Sequence, residues 1–306
     1  MKNNFQHISL ARLCGWFGVS RQAYYQNNRE DLRTGIEEGL LLQQVKEIRN
    51  NHRRIGTRKL YGMLQPFLLG HNIKIGRDAL FALLSTHQLL VRKRKRRVQT
   101  TNSYHRFKKY PNLIKAFVPT AINQLWVSDI TYWKLKGNYV YISFITDAYS
   151  HKIVGHQVAQ TMEAIESIYA LQMAIAGLRP DGYPGLIHHS DRGIQYCSHA
   201  YVKLLQDHGI KISMTENGDP LENAIAERIN GIIKQEYLDT YDVAAIKDAK
   251  ELLKQVVGLY NNERPHMSIG NLTPDQIHLS NKPIKTERLW KNYYQKQTTF
   301  VNPLQD

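Results

Sequence analysis

Cysteine is nearly absent from this 306-residue chain. The two present, Cys14 and Cys197, form no CxxC pair and are too few for a disulfide framework. They read as free thiols in or near a core. None of the 13 histidines stands at zinc-finger spacing from a cysteine, so no structural zinc site is expected. Long apolar runs are lacking as well. No stretch approaches the roughly 18 to 20 residues that cross a bilayer. The opening MKNNFQHISLARLC has no apolar segment of the kind that makes a secretory signal. The expectation is a soluble, cytoplasmic protein with no membrane partner. There is no long-period repeat, and the one low-complexity tract is basic. Acidic residues are scarce in the first third. Residues 1–118 hold 6 Asp/Glu against 23 Lys/Arg, a net of +17, while 119–306 hold 20 against 18, a net of −2. A field so distributed attracts a polyanion such as nucleic acid. A solvated basic surface or a ribosome-type tail would have the same composition.

What is present is globular in texture, with 42% hydrophobic and 22% charged residues. The length suits two domains, or one with smaller attachments. In 8–26, ISLARLCGWFGVSRQAYYQ, the residues Leu10, Leu13, Cys14 and Phe17 recur at helical spacing. Gly18 supplies a tight turn and Ser20 is placed to cap the helix that follows, which opens on Arg21. This is the pattern of a helix-turn-helix over 1–36, although a plain helical hairpin has it too. A second helical unit is expected over 37–90. It comprises the amphipathic IEEGLLLQQVKEIRNNH, a helix with Thr57 as its expected cap and Leu60, Met63 and Leu64 on its buried face, and another from about Arg77. Arg58, Lys59 and Arg77 stand early in these helices and are candidate DNA contacts. The run 91–97 then carries six basic residues, Arg92, Lys93, Arg94, Lys95, Arg96 and Arg97, which repel one another and favour an extended segment. Through 118 more cations alternate with Tyr104, Phe107 and Tyr110, a mixture suited to a phosphate backbone with base stacking, or to an ordinary linker.

From about residue 122 the texture changes to β-branched and aromatic. LWVSDITYWKL and NYVYISFITDAY flank Gly137-Asn138 and predict a hairpin. HKIVGHQVA is a third strand after a turn at 149–151. A helix capped by Thr161 and ended by Gly177 follows, then a strand at PGLIHHSD, a helix over 199–208 and a short strand at IKISM. Helices over 220–237 and 244–262 complete an α/β layer on a mixed five-stranded sheet, placed over 119–281 with a tail at 282–306.

Three acids stand out by position. Asp129 lies inside the first strand, Asp191 just past the fourth, and Glu227 inside the helix ENAIAERINGIIKQEY; 35 residues separate the last two. A carboxylate among apolar strand neighbours is costly without a partner, and Asp129 has no nearby Lys or Arg in that strand. Converging carboxylates repel, and hard divalent cations, which prefer oxygen ligands, offset that repulsion. At about 100° per residue, Asn223, Glu227, Asn230 and Lys234 share a polar arc of about 60°, opposite isoleucines that can dock the helix. Asn223 and Lys234 are assigned to DNA contacts near the site. Arg264 and His266 could contact DNA, but are expected to brace the last helix. Glu222 and Glu236 fall off the arc. No Ser or Tyr nucleophile motif is evident.

The segments WVSDITY, HSDRGIQY and ENAIAERINGIIKQEY, in this order and spacing, resemble the DDE transposases of bacterial insertion sequences, in the OrfB-type, retroviral-integrase-like branch. So do YNNERPHMSIGNLTP and the N-terminal SLARLCGWFGVSRQAYYQ and GTRKLYGML, and together the matches span residues 8 to 280. The resemblance implies an RNase H-like core preceded by an all-α DNA-binding region. It implies two Mg²⁺ or Mn²⁺ ions bound by the catalytic triad Asp129, Asp191 and Glu227, and an enzyme that cleaves DNA and transfers strands. Arg192 stands where some members carry glutamine. No zinc-binding HHCC module precedes the core. The implied partners are double-stranded DNA (terminal inverted repeats and target), further copies of the chain, at least a dimer, and an OrfA-type partner or fusion. The same residues leave open a nuclease of this fold without strand transfer, or a DNA-binding regulator with a decayed core.

Overall fold

The computed structural model describes residues 8–92, 106–115, 117–179, 183–216 and 220–280. For 27–33, 220 and 221 it describes the backbone alone. Four N-terminal helices are followed by a five-stranded sheet with helices on both faces. The helices are α1 (Leu10–Trp16), α2 (Arg21–Asn51), α3 (Thr57–Gly70) and α4 (Arg77–Thr86). Ser20 caps α2, accepting the Ala23 amide at 3.0 Å, and Gly18 turns the chain at a φ of 65°. Leu10, Leu13 and Cys14 are buried, but Phe17 is 60% exposed and lies outside that apolar face. The second helix of the expected hairpin does not stop near residue 36. It runs on as one helix to Asn51, with Gly35 and Gly39 inside it. Leu41 and Val45 of α2 pack with Leu60, Leu64 and Leu68 of α3 and Leu80 and Leu84 of α4 into one core. Thr57 is the first residue of α3 and not its cap. Gly56 holds the cap position and makes no side-chain bond.

The sheet comprises β1 (Leu125–Lys134), β2 (Tyr139–Asp147), β3 (Ile153–Ala159), β4 (Ile187–Ser190) and β5 (Lys211–Met214), in the order β3-β2-β1-β4-β5. The first three strands form an antiparallel meander, and β4 and β5 run parallel to β1. This is the mixed sheet of an RNase H-like fold, with β1 at its centre. Gly137, at a φ of 93°, turns the β1–β2 hairpin where the Gly-Asn signal predicts it. A short buried acid shapes the next turn. Asp147 accepts the amides of Asn123 and Ser150 at 2.7 Å each and the Ser150 hydroxyl at 2.6 Å.

Helices α5 (Ala164–Ala176), α6 (Ile194–Cys197) and α7 (His199–Asp207) cover one face of the sheet, and α8 (Ala224–Ile232) and α9 (Ile246–Asn262) the other. Thr161 does not cap α5. The helix begins at Ala164, with Glu163 at the cap and no side-chain bond. The predicted helix over 220–237 is in fact three short elements. A 3₁₀ turn (Pro220–Asn223) leads into α8, a π turn (Ile233–Tyr237) follows it, and a second 3₁₀ turn (Leu238–Thr240) comes directly after. The last helix among the described residues, α10 (Pro274–Leu279), starts with a Thr273–Gln276 capping box. Cys14 and Cys197 are free and buried, as composition suggested.

Candidate active site

Asp129 sits on the central strand, opposite Phe144 of β2. Its neighbours Val127 and Ser128 are buried, and Asp129 itself is 8% exposed. Burial is the first cause that pushes its carboxyl from 3.8 up to about 8; the charges of Asp191 and of Glu227 follow. The Asn230 amide opposes that shift, donating to Asp129 Oδ2 at 2.8 Å. Asp191 and Glu227 thus lie near enough to Asp129 for their charges to act on it, although the three come from a strand, a strand end and a helix.

Asp191 follows the last residue of β4, and the parallel register of β4 on β1 sets it level with Asp129 in the middle of β1. Its Oδ1 accepts the Gly193 amide at 2.9 Å. A Cβ on Gly193 would come within 2.9 Å of that oxygen, so the HSDRG turn needs glycine for close approach. Glu227 lies in the first turn of α8, and its side chain is exposed. Among the described residues no three His, Cys, Asp or Glu side chains form a closed metal-binding cluster.

The polar arc of the Glu227 helix is real, but most of it faces inward. Asn223 donates to the Ser128 carbonyl at 3.0 Å, Asn230 to Asp129, and the Lys234 ammonium to Thr131 Oγ1 at 3.2 Å. Lys234 also lies 4.2 Å from the centre of the Tyr132 ring. Three side chains thus bind successive parts of β1. Asn223 and Lys234, expected on DNA, are engaged with the strand, because the docked helix turns its polar edge toward β1 as well as toward solvent. The role of Asn230 as the donor to Asp129 was not evident from sequence. Its position three residues after Glu227, on the same arc, was the one signal that pointed to it.

The competing acids are committed elsewhere. Glu222 is buried and accepts the Glu216 amide at 2.6 Å. Glu236 takes a two-pronged bond from Arg264, at 2.7 and 2.8 Å, and Arg264 is fully buried. His266 lies 2.9 Å from the same guanidinium. Both Arg264 and His266 brace the core, as expected. The histidines of β4 are structural too. His188 pairs with the Tyr201 hydroxyl at 3.0 Å and His189 with the Ser213 hydroxyl at 2.8 Å.

Of the basic residues expected on DNA, Arg21, Arg58, Arg77 and Arg92 are exposed. Arg77 pairs with its neighbour Asp78 at 2.8 Å on the surface. Lys59 is not on the surface. Its side chain is 16% exposed and lies 3.6 Å from Glu236 of the core, so it braces one part of the chain against the other. Lys93, Arg94, Lys95, Arg96 and Arg97 lie outside the described residues, as does the tail from 281 onward. Among the described residues no helix is long and apolar enough to cross a membrane.

Comparison with known proteins supplies the family. The integrase core domain family model matches residues 119–220, and a second model of the same description matches 208–274. The 31 kDa protein of insertion element IS600 from Shigella sonnei is 35% identical over 269 residues, covering 86% of this chain and 96% of that protein. The transposase for insertion sequence element IS629, also from Shigella sonnei, is 30% identical over 276 residues, or 88% and 91% of the two chains. Among solved structures, the HTLV-2 integrase catalytic core domain in complex with magnesium aligns at 21% identity and a TM-score of 0.40, covering 52% of this chain and 97% of that one. Fold and matched models together define a polynucleotidyl transferase with an integrase core. The chain belongs to the DDE transposases of insertion sequences, enzymes of DNA strand cleavage and strand transfer.

Proposed function

We propose that Asp129, Asp191 and Glu227 are the catalytic triad of this transposase and hold its divalent metal ions. The observation that carries this reading is the coupling of the two outer carboxylates to a buried Asp129. Desolvation and two like charges all disfavour the Asp129 anion, so the site has surplus negative charge and several oxygen donors. That donor set fits hard divalent cations, Mg²⁺ or Mn²⁺, two of them by the family's pattern. Bound there, such ions supply Lewis-acid stabilisation of the attacking and leaving oxygens.

The chain's own residues set the geometry. The Asn230 amide fixes one Asp129 oxygen, and the Ile130 backbone amide also bonds this carboxylate. The Gly193 amide fixes one oxygen of Asp191. The reaction proceeds by two in-line displacements. Water first cleaves one phosphodiester, forming a P–O bond to water and releasing a 3′-OH. That 3′-OH then attacks a second phosphodiester, forming a new P–O bond while the old one breaks. No enzyme nucleophile enters either step.

The substrate is double-stranded DNA, both the element's terminal inverted repeats and the target. Its grip comes from the helical region, through Arg21, Arg58, Arg77 and Arg92, and from the basic run 93–97. Residues 1–90 form one helical region, since α2 runs unbroken across residue 36, followed by a basic linker 91–118, the core 119–281 and a tail 282–306. Joining two ends calls for at least a dimer on DNA, with an OrfA-type partner or fusion as a further component. The protein works in the cytoplasm, at the nucleoid.

Purified Asp129→Asn, Asp191→Asn and Glu227→Gln variants test the triad. Each is expected to lose magnesium-dependent cleavage and strand transfer while binding duplex DNA nearly as the parent does. Cleavage retained by any one of them removes that residue from the triad.

A further inference from the structure

The helical region meets the core at a compact polar seam. His52, at the end of α2 and 2% exposed, places Nδ1 2.9 Å from the Tyr237 hydroxyl and Nε2 3.0 Å from Glu263. Lys59, in the first turn of α3, reaches Glu236. Arg53 donates to the Thr240 carbonyl at 3.0 Å and stacks on Tyr241 at 4.1 Å. Almost every core partner in this seam belongs to 236–241, the stretch that continues the helix carrying Glu227. Glu236 and Tyr237 are themselves part of the π turn. Such turns are rare and cluster at functional sites, because they carry an extra residue whose helical bonding is easily exchanged.

The charges in the seam are unevenly matched. One carboxylate, Glu236, serves Arg264 at 2.7 Å and Lys59 at 3.6 Å. Arg264 is held by two strong bonds and Lys59 by one weak contact, so Lys59 is the member that can move. It directly follows the exposed Arg58 at the start of the same helix.

We propose that Lys59 and His52 are positioning residues: they tie the DNA-facing helices to Glu236 and Tyr237, and so set the helix that carries Glu227 according to whether DNA is bound. The inference rests on the reading of the helical region as DNA-binding and of Glu227 as a site residue. A phosphate at Arg58 attracts the neighbouring ammonium as well. Any shift of Lys59 then changes the load on the π turn, while His52 transmits the movement of α2 through the Tyr237 hydroxyl. Cleavage would thereby be favoured on a chain that already grips an element end.

Amide hydrogen exchange on the full chain, with and without a short duplex DNA at low salt and without added metal, tests the coupling. In the parent, DNA should slow exchange in 21–92 and also, by about tenfold, in 224–237, since site-to-site couplings commonly span 5- to 150-fold. Lys59→Met and Tyr237→Phe should keep the protection over 21–92 and bring the effect over 224–237 to within about twofold. Lys59→Arg should restore it, which a general loosening of the fold would not allow. Tyr237→Phe removes one hydroxyl and serves if Lys59→Met does not fold. Protection over 21–92 with no change at 224–237 in the parent overturns the coupling alone. No protection over 21–92 in the parent removes the DNA-binding reading and the coupling with it. In strand-cleavage assays the same variants should lose kcat with KM for DNA little changed; a loss confined to KM counts against the proposal.

Discussion

Asp129 occupies a position where burial and two neighbouring carboxylates act together against its charge, and two amides, those of the Asn230 side chain and the Ile130 backbone, act for it. Its folded-state carboxyl, raised from 3.8 to about 8, binds a proton more tightly than the unfolded chain does. Its contribution to stability is therefore complete below the unfolded value and is lost as pH rises through the folded one. In chelator, melting temperatures of the parent should fall relative to Asp129→Asn as pH climbs from about 4 to about 8, and magnesium should narrow that gap. A gap independent of pH would show that this carboxyl titrates normally. Asn230→Ala should slow cleavage by about tenfold or more through loss of the donor that orients Asp129, with DNA affinity unchanged. Glu236 is the opposite kind of residue, a carboxylate spent on structure. Glu236→Ala leaves the buried Arg264 guanidinium unpaired and should cost about 3 to 5 kcal/mol by urea unfolding. An effect below about 1 kcal/mol would mean that His266 and the neighbouring carbonyl suffice for Arg264.

Elements do what single residues cannot, which is to bring distant segments to one place. β1 and β4 run parallel and side by side, so an acid within one and an acid just past the other lie toward the same edge. α8 crosses β1 and fixes itself there through Asn223, Asn230 and Lys234. The sheet can serve as a platform only if its other face is packed firmly. Gly155 of β3 is the point of closest approach to α5. A Cβ there would overlap the Ala170 carbonyl oxygen and come within 3.1 Å of Ala174 Cβ. Gly155→Ala should push α5 off the sheet and destabilise the protein by about 3 kcal/mol. A change under about 0.5 kcal/mol on denaturation would show that the helix yields without cost.

At the scale of the whole molecule, charge and protonation set the working conditions. If the basic third grips DNA, removing residues 1–98 should flatten the salt dependence of binding, by about 0.9 log unit for each phosphate that is no longer neutralised. An unchanged slope would place the grip in the core. A second global property comes from buried histidines. Burial lowers His151, His156, His189 and His278 to about 4, and His188 to about 3, from 6.5. These groups are folded as neutral rings, so the stability they permit is present above the unfolded value and is lost as pH falls toward the folded ones. Urea midpoints should accordingly drop between about pH 6.5 and 4, and flat midpoints there would contradict the burial of these rings.

Much of this architecture was legible in the chain. The order of strands and helices, the hairpin at Gly137, the cap at Ser20 and the concentration of positive charge before residue 118 all follow from periodicity and residue type. These are local properties, carried by neighbours within a few positions. Only the tertiary structure decided which polar side chains face outward. Lys59 and Lys234 look like DNA contacts in sequence, but Glu236 and Thr131, each far away along the chain, claim them. The continuity of α2, the π turn after α8 and the elevated carboxyl of Asp129 were decided in the same way. Each depends on what packs alongside through space, and burial and Coulomb interaction act over distances that sequence separation does not measure.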